Sequence, residues 1–428
     1  MQLRCFRSPC PTILLVTLAT PALILAQGAI PADDPAVRRA LEGIKATNAW
    51  TLEQQVSLCE IPAPPFKEQV RGVEFRKRLA ALGYPGARID EVGNVIAERA
   101  GSGSGPTVMI AGHLDTVFPE GTKVQVKREG DKFSGPGIGD DCRGLAVVLA
   151  VAKALNEGQV KTSGRVILVG NVGEEGPGNL RGVRHMFGGE YKGKIDYFIS
   201  VDGMGLHVTD RAVGSKRYNV KFTGPGGHSY GAFGMPSAIH AMGRAIANIA
   251  DVQVPLTPKT TFNVGVVTGG TSVNSIAFAA SMEVDMRSES WESLERTETA
   301  IRKAIDAGLA SENGRWPKSP AKISVKYDTI GIRPIPAKPQ TDDSPIVRTA
   351  VAAAKSLGEK APTSAGSTDS NIPMSLGVPA ITIGGGGEGH DAHALTESYQ
   401  DGPTGYKGPQ WALLIVAALA GLNRGITP

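Results

Sequence analysis

The chain has 428 residues, of which 41% are hydrophobic and 20% charged, so it can bury a sizeable core and is not a disordered polymer. At roughly 100–200 residues per domain, this length suits two domains better than one. Its 45 basic and 41 acidic residues contain no run of five like charges, which excludes the strongly basic character of a nucleic-acid or anionic-membrane binder.

Residues 1–28 read as a secretory signal rather than as part of the fold. Arg4 and Arg7 give a basic start, Ile13–Ala26 is apolar apart from Thr and Pro, and small residues follow at Ala26, Gly28 and Ala29. The apolar stretch is short for a membrane span of roughly 20 residues, so a secreted or periplasmic chain with no membrane contact after cleavage is expected. Cleavage also removes Cys5 and Cys10, and the remaining Cys59 and Cys142 are too few for a disulfide framework.

Beyond the signal, Pro35 to Leu82 has helical spacing in two pieces broken at Ile61–Pro65. Strand patterns follow at Arg88–Glu91, Val95–Glu98, Thr107–Ala111, Arg165–Val169 and Ile195–Val201, with a helix at Ala146–Leu155. Apolar strands that each release a polar cluster, with helices between them, predict a mostly parallel α/β sheet whose site lies at the C-terminal strand ends. The pattern changes near residue 211. Strands at Arg217–Phe222, Thr261–Thr268, Ser281–Arg287 and Ile323–Tyr327, with helices at Pro236–Ile249 and Ser293–Ala310, predict a smaller α+β insert over 211–330. The first pattern returns in 331–428, with helices at Ser344–Leu357 and Pro409–Leu422 and a strand at Ala380–Ile383. The expected organisation is therefore a signal (1–28), a mostly parallel α/β domain in two parts (29–210 and 331–428) and a smaller α+β insert between them (211–330).

Four strand ends turn acidic or histidine-bearing: His113-Leu-Asp115, Asp140-Asp141-Cys142-Arg143-Gly144, Glu174-Glu175 and Asp202. A late cluster adds His390, His393 and Glu397. So many carboxylates at one sheet edge repel one another unless cations neutralise them, and histidines among carboxylates suit zinc or a neighbouring transition metal.

These segments, in order over nearly all of the chain after the signal, resemble the M20 family of dizinc metallopeptidases and amidohydrolases. Asp90-Glu-Val-Gly-Asn-Val-Ile-Ala and His113-Leu-Asp-Thr-Val are most similar to its peptidase T-like branch. The resemblance implies that His113 and Asp202 bind one metal, Glu175 and His393 the other, and Asp141 bridges both. The spacing to Arg143-Gly144 favours Asp141 over Asp140, and the spacing to Glu397 favours His393 over His390. Asp115 is expected to hold the His113 tautomer and Glu174 to act as general base. Cys142 is expected to pack without ligating. In the insert, His228 of Gly224-Pro-Gly-Gly-His228 resembles the lid histidine that reaches a partner subunit's site, which implies a homodimer. Asn274 and Arg287 resemble substrate-holding lid residues, and a guanidinium can grip a carboxylate by two hydrogen bonds. Three positions depart from the family pattern: Arg143 replaces lysine, Gly173 replaces aspartate, and no proline follows Asn274.

The expected activity is that of an exopeptidase acting on small peptides through a water activated by two divalent ions, zinc first and cobalt or manganese next. An N-acyl amino acid amidohydrolase is the near alternative, and an inactive metal-stabilised peptide-binding protein the distant one. Histidine ligands must be neutral, so activity is expected to fall below roughly pH 6.

Overall fold

Three strands carry the polar clusters, and they lie side by side. In the computed structural model, which describes Ile30–Asn423, Gly164–Asn171, Gly105–His113 and Tyr197–Val201 are parallel neighbours at the centre of an eight-stranded sheet. The expected signal segment lies outside the described residues. The sheet order is Arg88–Ile89, Val95–Arg99, Gly164–Asn171, Gly105–His113, Tyr197–Val201, Ala380–Ile383, Val208–Ala212 and Thr363–Gly366. Most pairings are parallel; Val95–Arg99, Val208–Ala212 and Thr363–Gly366 run against the central strands. The central strands are near-continuous apolar runs, as burial on both faces requires. One face packs on the helices Cys142–Glu157, Lys407–Ala420 and Pro345–Ser356, and the other on Arg181–Gly188.

Helix Cys142–Glu157 begins where the site begins. Asp141 caps it, its carboxylate accepting from the Gly144 N–H at 2.9 Å. A Cβ at Gly144 would lie 2.2 Å from the Val201 carbonyl oxygen, so only glycine lets the helix start this close to the sheet. Arg143 is wholly buried beside it. Its Nε donates to the Gly385 carbonyl (2.8 Å), Nη2 to the Gly405 carbonyl (2.7 Å) and Nη1 to Gln55 Oε1 (3.2 Å), with the Tyr399 ring 4.9 Å away. The planar fork reaches three chain segments at once, which the point charge of a lysine cannot do.

The lid is a four-stranded antiparallel sheet ordered Thr260–Gly269, Ala279–Ser288, Gly214–Thr223, Ser324–Arg333, backed by helices Ala238–Ala250 and Trp291–Arg315. Strict alternation builds it. Met282, Val284 and Met286 pack with Phe222, Ala241 and Ile305 in a core separate from that of the main sheet, while Glu283, Asp285 and Arg287 face the other way. The main sheet thus keeps Val208–Ala212, and the lid sheet runs through Arg333.

Several elements differ from expectation. The first helical piece is two helices, Pro35–Ala46 and Asn48–Cys59, because Thr47, at φ −106° and ψ +25°, leaves the helical conformation between them. A small sheet of Glu388–His390, Ser398–Gln400, Lys132–Ser134 and Lys127–Glu129 was not anticipated; the last of these strands is exposed along its whole length and has no alternation to read. Cys59 and Cys142 are both buried free thiols, packed with Phe133, Ile138 and Tyr399. No helix among the described residues is long and apolar enough to cross a membrane.

Replacing Arg143 by Lys leaves buried carbonyls without donors. The expected loss of unfolding free energy is about 2–4 kcal/mol, measured by urea denaturation. A loss below about 0.5 kcal/mol, the range of an ordinary surface substitution, would contradict this account of the helix start.

Candidate metal centre

The strand ends deliver their side chains to one point. His113 closes its strand, Asp202 follows Val201, and Glu174 and Glu175 follow Asn171 by a short turn. His113 Nε2 lies 2.9 Å from Asp140 Oδ1 and 4.0 Å from Asp202 Oδ1. His393 Nε2 lies 3.0 Å from Asp140 Oδ2 and 3.0 Å from Glu175 Oε1. Three donor groups result, His113/Asp140/Asp202, Asp140/Glu175/His393 and His113/Glu174/Glu175, the ligand atoms within each lying within 4.8 Å of one another. Asp140 joins the two that hold the two imidazoles with Asp202 and Glu175.

The expectation that Asp141 stands between the imidazoles is corrected here. Its Oδ1 takes the Gly144 N–H and its Oδ2 the His113 N–H, both at 2.9 Å, so both oxygens serve backbone at the helix start. It belongs to none of the three donor groups. The signal was available: the residue immediately before an apolar helix is its cap, and a capping carboxylate is already committed. Asp140 is fixed from the other side by Glu397, a buried carboxylate that accepts from the N–H groups of Gly137 (3.0 Å), Gly139 (2.8 Å) and Asp140 (2.9 Å). Spacing had singled out Glu397 without giving it this task.

Asp115 is buried next to His113, but the division of labour differs from expectation. His113 Nδ1 is 3.1 Å from the Asp115 carbonyl oxygen and 3.7 Å from its carboxylate. The carboxylate accepts the N–H groups of Glu174 (3.1 Å) and Glu175 (2.9 Å), so it sets the glutamate pair. Gly173 before that pair has φ +71°, and a Cβ there would meet the Arg181 guanidinium at 2.2 Å. Glu174 is paired with Arg333, whose Nη1 lies 2.9 Å from Glu174 Oε1 and also reaches the Ser367 carbonyl at 2.9 Å. Sequence reading missed Arg333; the only sign was an arginine following the short apolar stretch Ile330-Gly-Ile at the end of a mixed strand.

Charge is concentrated here. Burial and the Asp140 charge push the Asp202 carboxyl well above its usual range, and burial raises Glu175 to about 7 against the pull of His393. Hydrogen bonds to Asp140 and Glu175 raise His393 to about 10. For His113, burial acts downward, but Asp115 and Asp140 outweigh it and the imidazole is raised. Carboxylates crowded until they hold protons, beside imidazoles held cationic by those carboxylates, form a donor set that divalent cations relieve.

A cavity of about 780 Å³ opens from this centre to the lid sheet. Asp140, Glu174, Asp202 and His393 line one side, and Arg217, Arg287 and Arg333 the other. Arg287 is therefore at the cavity, as expected, and its Nε bonds Asp285 Oδ2 at 2.7 Å. His228 and Asn274 are not among the lining residues. They sit together on an exposed lid ribbon in which His228 pairs with Ser275, and His228 Nδ1 accepts the Tyr230 and Gly231 N–H groups.

The sequence matches peptidase family M20/M25/M40 over residues 109–407. The chain belongs to that family. Carboxypeptidase G2 of Pseudomonas sp. (strain RS-16) is 29% identical over 223 residues, which span 49% of this chain and 52% of that protein, about half the length of each. Among solved structures, the aminopeptidase PepT of Bacillus cereus ATCC 10987 superposes with a TM-score of 0.66 at 19% identity, over 87% of this chain and 98% of that one. YXEP of Bacillus subtilis, described as a dinuclear metal-binding peptidase of family M20, superposes with a TM-score of 0.61 at 19% identity, over 88% of this chain and 99% of its own. These likenesses establish an M20 fold with its lid, and the donor groups above offer the histidine and carboxylate atoms that divalent cations take.

Two measurements test the centre. Freed of cations by chelation, the folded chain binds more protons than the unfolded chain, because Glu175 (about 7 against 4.5) and His393 (about 10 against 6.5) are both raised. Stability then falls as pH rises through those values. Asp140 and Asp115, which are lowered, act in the opposite sense only near and below their ordinary value of 3.8. The melting temperature of chelated protein should therefore drop between pH 6 and pH 9, and added zinc should reverse the trend; a chelated protein more stable at pH 9 would contradict this reading. Separately, Asp140→Asn should weaken binding of both metals in calorimetric titration, whereas Asp141→Asn should retain two-metal binding and cost about 1 kcal/mol of stability.

Proposed function

We propose that this chain is an exported, metal-dependent exopeptidase that hydrolyses the amide bond of small peptides bearing a free carboxylate. The observation carrying this reading is Asp140 set between the imidazoles of His113 and His393, with Glu174 at the mouth of a cavity of about 780 Å³, a volume suited to a small peptide. His113 and Asp202 would hold one cation, Glu175 and His393 the other, with Asp140 shared. A bound pair of divalent ions, zinc by donor type and cobalt or manganese as substitutes, would supply Lewis acidity to the carbonyl and the attacking water.

The chain's own groups do the rest. Glu174 takes a proton from the water as the new C–O bond forms and passes it to the amide nitrogen as the C–N bond breaks, releasing a carboxylate and an amine. Arg333 holds one Glu174 oxygen, which orients the carboxylate that moves the proton. Arg287 offers its outer nitrogens to the substrate carboxylate. In a homodimer, His228 with Asn274 from the second subunit would complete the site and stabilise the oxyanion.

The test is a panel of free, N-acylated and C-amidated di- and tripeptides, run with zinc, cobalt and manganese. Glu174→Ala should lower kcat by about a thousandfold or more while both metals stay bound. Full activity in the variant would refute the proton-shuttle role. A wild type that cleaves nothing while the variant still binds peptide would point to a binding protein instead.

A further inference from the structure

The lid wall of the cavity carries more charge than amide hydrolysis requires. Glu283, Asp285 and Arg287 alternate along Ala279–Ser288 and share the face turned away from the lid helices. Asp285 accepts from Arg217 Nε through Oδ1 and from Arg287 Nε through Oδ2, each at 2.7 Å. Arg217 also donates to the Gly176 carbonyl at 3.3 Å, which ties the lid to the residue after Glu175. Two guanidiniums on one carboxylate leave one surplus positive charge, enough for a single substrate carboxylate. The third guanidinium, Arg333, is balanced by Glu174.

Glu283 lines the same cavity and is left over. Among the described residues no cation stands within ion-pair distance of it. Its cross-strand neighbours are Val266 and Asn219, neither of them basic. The wall thus presents a cationic point at Asp285 with its two guanidiniums and, about 7 Å along the strand, one carboxylate without a cationic partner.

We infer that Glu283 forms a subsite for the ammonium or guanidinium side chain of the amino acid whose carboxylate the arginine pair holds. The preferred substrates are then amides whose departing amine is a basic amino acid. An acidic side chain there meets Glu283 with no second free guanidinium to receive it, and an apolar one leaves Glu283 facing hydrocarbon. The inference rests on the amide-hydrolysis reading of the metal centre and goes further by naming the residue that leaves.

The experiment compares Gly-Lys, Gly-norleucine and Gly-Glu with the metal-loaded full chain. The expected kcat/KM for Gly-Lys is at least about tenfold that for Gly-norleucine, with Gly-Glu lowest, as suits a charge-assisted contact in a partly closed cavity. In Glu283→Gln the Lys/norleucine ratio should collapse to within about twofold, and Glu283→Lys should favour Gly-Glu. Because each ratio is taken on one preparation, partial misfolding of a variant does not alter it. A wild-type ratio near one, a preference for Gly-Glu, or a ratio preserved in Glu283→Gln would overturn the subsite. If no dipeptide is cleaved with any metal, the amide-hydrolysis reading fails. Calorimetric binding of Gly-Lys against Gly-norleucine to wild type and Glu283→Gln then decides the subsite by the same ratio.

Discussion

Everything at the centre depends on one carboxylate held between two imidazoles. Asp140 comes from a loop, and loops do not place side chains to a fraction of an ångström by themselves. The placement comes from Glu397, which gathers three backbone N–H groups of residues 137–140, and from Asp141, which ends the loop by capping a buried helix. Three acidic residues are thereby divided between structure and chemistry: Asp141 and Glu397 hold backbone, and Asp140 faces the cavity. Charge-assisted bonds to backbone N–H are among the stronger ones available, which explains why buried carboxylates can serve as scaffolding here.

The lid repeats this economy with the opposite sign. Asp285 braces two guanidiniums as Glu397 braces a loop, and Arg333, at the very end of the lid sheet, reaches into the catalytic half to pair with Glu174. The cavity wall is therefore made of paired charges with few spare valences. In such a wall Glu283 stands out, because the other charged lid residues lining it, Arg217, Asp285, Arg287 and Arg333, are all in ion pairs.

Much of the fold was legible because period and punctuation agreed. The parallel strands announced themselves as apolar runs ending in polar clusters, and the lid strand 279–288 by strict alternation. What sequence could not give was direction in space. Asp140 and Asp141 are chemically identical neighbours, and choosing between them needed the helix start, read as a capping position rather than as part of a motif. Arg217 and Arg333 are isolated arginines in strands, indistinguishable from solvent-facing charges until the lid is seen to fold over the sheet edge. Asp115 was legible as a buried partner of His113, yet its carboxylate serves the backbone of residues 174 and 175, a contact made across the sheet at a separation of about sixty residues.

Arg143 ties the helix start to Gln55, Gly385 and Gly405, and the centre itself draws on His393 and Glu397. The N-terminal two thirds of the polypeptide therefore contain most of the ligands but cannot assemble them. A growing chain thus lacks a complete donor cluster until its last segment has folded back on the first.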